Sequence, residues 1–275
     1  MGRLAFEPIG GPFGAFVTGV DFGDLDVDGL RRGLTRHRLL CVRDREISDD
    51  EHVAFASAFG HLASERTGVV TTVSNVVPGA ALGGDEATWH SDYTFFPSPY
   101  ECISLYAVEL PRGGTETRFV DGVLAARTLP PDLRRRVADL QGRSVADVAN
   151  TSTRTAGVRY LAGRCDGIDP HQERPVLWPH PTTGEPILAV WEQQTDALLP
   201  LPQDESVALL AQLFAHLYQP AHQYVHRWQP HDLVLWDNLA LQHARPYVGV
   251  TEPRTLRRVS VGVDQDISIF LRMSA

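Results

Sequence analysis

An α+β fold that is mainly β, a sandwich or jelly roll with flanking helices, is what this sequence predicts. Three observations predict it. After Gly60, short β-prone runs follow one another at close intervals. Turn residues separate them, at Gly83-Gly84, Pro111–Gly114, Pro181–Gly184 and Pro230, in a chain with 23 glycines and 19 prolines. Helical signals are few and punctuate the strands instead of dominating the chain.

The elements follow in order. Residues 27–37 (VDGLRRGLTRH) carry apolar positions at helical spacing. Residues 38–43 (RLLCVR) read as a short buried strand. Ser48 and Glu51 form a capping box and open a helix that ends near Gly60. Strands are expected at 69–73, 102–108, 117–120, 187–190, 223–227, 232–236 and 256–263. Helices are expected from near Asp121, after Pro130-Pro131, and over about 204–218. The stretch 145–185 is mixed and polar, and is expected to be an insertion or lid. No linker divides the chain, so residues 1–275 are read as a single domain.

Composition narrows the function. With 43% hydrophobic and 21% charged residues, the chain is globular and not disordered. All 25 basic residues are arginine, which removes Schiff-base, P-loop and general-base lysine chemistry. A net charge of −9 argues against a nucleic-acid partner. Cys41, Cys102 and Cys165 are odd in number and widely spaced, so no disulfide framework is expected. The first residues lack the apolar core of a secretory signal, and no run approaches the ~18 apolar residues of a membrane span. The expected setting is the cytoplasm, and the expected partner a small molecule, with no membrane involved.

The chemistry concentrates in three places. In Trp89-His90-Ser91-Asp92-Tyr93, extended backbone puts His90 and Asp92 on one face, an imidazole beside a carboxylate. Alone, such a pair is a weak signal. His243 follows the probable strand Leu233–Trp236 and its turn. By itself it reads equally well as a satisfied core histidine. If a jelly roll brings the three together, they form a facial triad that leaves three positions on an octahedral metal, suited to a bidentate co-substrate and O₂. Finally, alternation in Pro253–Val259 places Arg254 and Arg258 on one face and Arg257 on the other. Inward guanidiniums need anionic partners, and an arginine eleven residues after His243 suits the remote carboxylate of a dicarboxylic acid.

The run WHSDYTFFPSPYECISLYAVELPRGGTETRFVDG resembles the iron-binding segment of taurine dioxygenase-like enzymes, the TauD/TfdA branch of iron(II)- and 2-oxoglutarate-dependent oxygenases. LVLWDNLALQHARPYVGVTEPRTLRRVSVG resembles the second family block. HRLLCVRDREISDDEHVAFASAFGHL and RPVLWPHPTTGEPILAV are similar to two further segments. The resemblance covers roughly residues 5–265.

It implies a double-stranded β-helix, with iron(II), 2-oxoglutarate and O₂ as cofactor and co-substrates. His90, Asp92 and His243 would be the iron ligands. Thr117 matches the hydroxyl that binds 2-oxoglutarate, and Arg254 the arginine that pairs with its distal carboxylate. Arg258 matches a position that contacts the substrate anion in sulfonate-using members and helps hold the co-substrate in others. Tyr93 is expected to border the substrate, with Glu86 and Trp191 (and its neighbours Glu192 and Gln193) as further substrate contacts. Glu86 departs from the taurine pattern, which argues against taurine itself. Asp92 argues against halogenation, because halogenases of this chemistry lack that carboxylate.

The expected reaction is hydroxylation or desaturation of a small anionic or amino-acid-like substrate in a biosynthetic tailoring step. The alternatives are a non-oxidative cupin-type metalloenzyme and a catalytically inactive metal-binding protein of the same fold. Relatives often form dimers or tetramers, so a homo-oligomer is compatible with the sequence.

Overall fold

The computed structural model describes residues 3–65, 68–146, 171–249 and 251–264. A hairpin of β1 (Ala5–Pro8) and β2 (Ala15–Thr18) comes first, and its four-residue strands are too short to show a period. Helix α1 (Val27–His37) starts where the Asp26 carboxylate accepts the Gly29 N–H, and stops where Arg38 turns left-handed at φ 61°. Strand β3 (Leu39–Val42) is buried at every residue. Helix α2 (Asp49–Ser57) carries the expected capping box, with both Ser48–Glu51 bonds made.

The β-rich part begins with β4 (Val70–Ser74), β5 (Ala81–Leu82), β6 (Ala87–His90), β7 (Cys102–Glu109) and β8 (Glu116–Asp121). Helices α3 (Gly122–Thr128) and α4 (Pro131–Val137) follow. Asp121 caps α3 through the Val123 and Leu124 N–H groups, and Pro131 occupies the first turn of α4, where no N–H is needed. Then come β9 (Gln141–Val145), β10 (His171–Pro175), β11 (Leu177–Pro179), β12 (Pro186–Leu188) and β13 (Thr195–Leu199). Helix α5 (Gln203–Leu217) leads to β14 (Gln223–Arg227), β15 (Leu233–Asp237), β16 (Leu241–Arg245) and β17 (Thr255–Val261).

Two sheets face each other. The larger has the order β1-β2-β3-β15-β7-β17-β4-β5, and the smaller β14-β8-β16-β6. Both faces of the large sheet are covered at its centre, so strands such as β3 and β15 read as continuous apolar runs. Strand β15 shows this. Leu233 and Leu235 pack outward with Leu30 and Leu34 of α1 and Phe55 of α2, while Val234 and Trp236 point inward to Phe119 and Leu241 of the small sheet. The outer face of the small sheet is closed by α3 and α5, through Val120, Ala125, Leu209 and Leu213. The arrangement agrees with the expected jelly roll, and the inner space between the sheets is where inward polar side chains can meet.

Within 145–185, expected as an insertion or lid, the described second half is regular structure. There β10 joins β9 and β13 in a three-stranded sheet, and β11 pairs with β12, so those residues are part of the packed structure. Residues 147–170, including Cys165, lie outside the described residues.

One buried histidine outside the site sets an acid limit. His52 accepts Arg257 Nε–H on Nδ1 at 3.0 Å, and its Nε2 lies 2.8 Å from Ser104 Oγ. Burial, with Arg257 beside it, pushes its pKa down to about 3. The folded state therefore refuses a proton that the unfolded chain accepts below about pH 6.5. Unfolding free energy should fall as pH drops through that window, by about 2 kcal/mol between pH 7 and pH 5 from this group. Urea midpoints at the two pH values check this, and His52→Gln should flatten the dependence.

Candidate metal centre

Strand pairing brings the two histidines together. His90, the last residue of β6, lies directly opposite His243 of β16, and their ring centroids are 4.1 Å apart. After His90 the chain leaves the sheet, with Tyr93 in the left-handed region at φ 62°. That bend places Asp92 Oδ1 3.6 Å from His90 Nε2. Ligating atoms of His90, Asp92 and His243 all lie within 4.8 Å of one another.

Neighbouring residues hold the three in place. The His90 Nδ1–H donates to Thr88 O at 2.7 Å, which leaves the Nε2 lone pair for a metal. Asn238 accepts the Asp92 N–H at 2.9 Å and donates to Asp92 O and Tyr100 O. Trp236 sets its ring edge-on to His243 at 5.0 Å.

Electrostatics suit a cation. Burial alone would raise the Asp92 carboxyl, but Arg258 first, then His243 and His90, hold it below the usual carboxylate range. Burial and His90 push His243 down to about 3, so it stays a neutral base. Among the described residues, its buried Nδ1 has no hydrogen-bond partner. Two imidazoles and a carboxylate are the donor set of an open iron site.

A cavity of about 210 Å³ opens from these three residues. Val73, Ile103, Leu105 and Trp236 form its apolar wall, and Thr117, Arg245, Arg254 and Arg258 its polar one. Arg254 is 2% exposed and donates through Nε to Thr115 Oγ1 at 3.0 Å. Its Nη1 is buried without a hydrogen-bond partner among the described residues. Burial, with Arg245 nearby, pushes its pKa down to about 9. A guanidinium kept this dry needs an anion. Thr117 accepts the Trp228 Nε1–H at 2.9 Å, leaving its own O–H free to donate into the cavity. These features fit a dicarboxylate whose far end lies at Arg254.

Of the other expected residues, Arg258 lines the cavity but already faces Glu65 and Asp92, at 3.1 and 3.3 Å. It therefore does not stand free in the cavity. Tyr93 is half-buried beside Arg258 and packs edge-on against Tyr100 at 4.7 Å. Glu86 is half-buried and does not line the cavity. It lies near Glu192, whose carboxyl is raised by burial and by Glu86. Trp191 is a correction: it is 2% exposed and donates from Nε1 to Ser91 Oγ at 3.0 Å. It braces the residue between the two ligands and does not reach the cavity.

Arg245 and Glu65 escaped the sequence reading. Arg245 was detectable, being two residues beyond His243 on the same strand face. Glu65 sits in a segment with no periodic or motif signal.

A second cluster, Cys41, His226 and Asp232, also has ligating atoms within 4.8 Å. There Arg43 grips Asp232 with Nε and Nη2 at 2.9 and 3.1 Å, and burial pushes the Cys41 thiol far up. A protonated thiol and a neutralised carboxylate make this a structural knot.

Comparison with known proteins agrees with the geometry. The family described as "Taurine catabolism dioxygenase TauD, TfdA family" matches residues 5–260. Pentalenolactone F synthase of Streptomyces arenae is 32% identical, over 91% of this chain and 92% of that one. (S)-phenoxypropionate/alpha-ketoglutarate-dioxygenase of Sphingobium herbicidovorans is 32% identical, over 90% and 91%. Among solved structures, a taurine dioxygenase from Burkholderia xenovorans superposes with a TM-score of 0.77 at 26% identity, over 94% of this chain and 90% of that one. AAD-2 in complex with Mn(II) and N-oxalylglycine gives 0.78 at 25%, over 94% and 97%.

Proposed function

This chain belongs to the TauD/TfdA family, and from that premise we propose that it hydroxylates or desaturates a small organic molecule at the His90–Asp92–His243 centre. It is an iron(II)- and 2-oxoglutarate-dependent dioxygenase. The observation that carries the site assignment is the shared cavity, lined both by three metal donors and by Arg254, whose buried Nη1 has no hydrogen-bond partner among the described residues.

When bound, iron(II) and 2-oxoglutarate supply with O₂ the oxidising power that breaks a substrate C–H bond, leaving succinate and CO₂. The chain's own residues bind and orient. His90, Asp92 and His243 would hold the metal at the wall of the cavity. Arg254 takes the distal carboxylate of 2-oxoglutarate, and the Thr117 hydroxyl donates to the same end. Val73, Ile103, Leu105 and Trp236 keep water from the reacting atoms.

Relatives are named for pentalenolactone, phenoxypropionate, 2,4-dichlorophenoxyacetate and sulfate esters. The synthase among them supports a biosynthetic tailoring role here. No helix among the described residues is long and apolar enough to cross a membrane.

A non-oxidative metalloenzyme would have no use for an unneutralised arginine opposite its metal. A catalytically inactive protein would consume no O₂. Both are tested together. Anaerobic protein with iron(II) and 2-oxoglutarate should develop a visible charge-transfer band, and air should then yield succinate. Absence of both band and succinate in metal-loaded, folded protein would refute the proposal.

A further inference from the structure

A guanidinium on the wall of a substrate cavity is ordinarily a receptor for a carboxylate or sulfonate. In this chain Arg258 has been supplied with internal anions. Its Nη2 lies 3.1 Å from Glu65 Oε1 and 3.3 Å from Asp92 Oδ2. Its Nε–H donates to Ser260 Oγ at 3.0 Å, and the Ser260 hydroxyl donates onward to Glu65 Oε1 at 2.9 Å. The Tyr100 ring lies under the guanidinium at 5.9 Å. Side chains of Arg258, Glu65 and Asp92 are all largely shielded from solvent.

The two cationic ends of the cavity therefore differ. At Arg254 the only hydrogen-bond partner of the guanidinium among the described residues is the neutral Thr115 hydroxyl, and a second arginine, Arg245, stands nearby. That end has positive charge to spare and suits a dianion. At Arg258 the positive charge is already matched by Glu65, while Asp92 also faces the metal position.

We propose that the Glu65–Arg258 pair is a specificity device, selecting substrates that are uncharged where they meet Arg258, such as alcohols, esters, lactones or amides, over carboxylates and sulfonates. This rests on the dioxygenase reading above. An anion arriving from the cavity would meet a guanidinium already held by Glu65 at 3.1 Å, and like charges brought together at one cation are an effective way to reject a partner. Ser260 and Tyr100 keep the guanidinium from swinging out to meet it elsewhere. An uncharged oxygen meets no such repulsion.

The test uses the full chain saturated with manganese(II) and 2-oxoglutarate, a combination that binds without turning over. Probes come in pairs sharing one skeleton: phenoxyacetate and its methyl ester, hexanoate and its methyl ester, and N-acetylglycine and its amide. Binding is read from quenching of tryptophan fluorescence, since Trp236 lines the cavity. In the wild type no carboxylate should bind more tightly than its uncharged partner. Glu65→Gln keeps the shape and releases Arg258, so carboxylate affinity should rise at least about tenfold relative to the uncharged partner. Glu65→Ala should shift selectivity the same way, which covers the case of a poorly folded glutamine variant. Tight carboxylate binding by the wild type, or unchanged selectivity in folded variants, overturns the proposal. If the protein binds no 2-oxoglutarate at all, it is the dioxygenase reading that fails.

Discussion

Arg254→Met should weaken 2-oxoglutarate binding by roughly 30- to 1000-fold, the range expected when one partner of a buried charge pair is removed. The side chain is 2% exposed, and its buried Nη1 awaits an acceptor. The same substitution should leave the ligand-free fold as stable as the wild type, or more so. Without an anion, the wild type holds a guanidinium whose burial has already pushed its pKa down to about 9. Methionine removes that desolvation cost and still fills the space. Two measurements check this. The anaerobic band titrated with 2-oxoglutarate should saturate only at far higher concentration. The melting temperature of the variant should no longer rise when 2-oxoglutarate is added. Arg254→Lys should fall between the two, since it keeps the charge but loses the paired N–H geometry. A variant that unfolds early, or one that binds 2-oxoglutarate normally, would contradict the assignment.

Asp92→Asn should abolish turnover and lower iron affinity by more than the 10- to 100-fold typical of losing a residue that only supports a ligand. The amide preserves shape, so the backbone clamp from Asn238 can persist. What disappears is the anionic ligand, together with one of the two negative charges that face Arg258. Asn238→Ala provides the contrast. It leaves all three ligands but frees the Asp92 backbone and two carbonyls, and should weaken iron within that 10- to 100-fold range. Metal content after dialysis and succinate formation measure both. If Asp92→Asn retained iron and turnover, the carboxylate would not be a ligand.

Much of this protein is legible in its sequence where the cause is local. Residues 27–37 form a helix because apolar spacing and the Asp26 cap agree, and α1 spans those residues. Ser48 and Glu51 announce α2 because a capping box is closed within four residues. Strand β14 occupies the expected 223–227. His90, Asp92, His243 and Arg254 are legible chiefly through the family resemblance, since Asp92 reaches His90 by a bend after β6 and not by strand alternation.

Readings fail where a side chain's role depends on distant neighbours. Trp191 looked like a substrate contact because it follows a strand near the site block, yet its indole N–H is taken by Ser91. The anion that an inward Arg258 needs could not be placed from its own strand, because its partner Glu65 comes from the segment after α2. The hairpin β1–β2 carries too few residues to declare a period.

By itself, then, the sequence determined helices α1 and α2 and strands such as β14. Those elements follow from hydrogen bonds and side-chain geometry within a few residues. Only the tertiary structure decided that His243 pairs across the sheet with His90, that Arg254 is left without an anion, and that Arg258 is not. Pairing between strands distant in the chain is set by how two sheets bury their shared core, and the charge around a guanidinium is set by whatever that packing brings beside it.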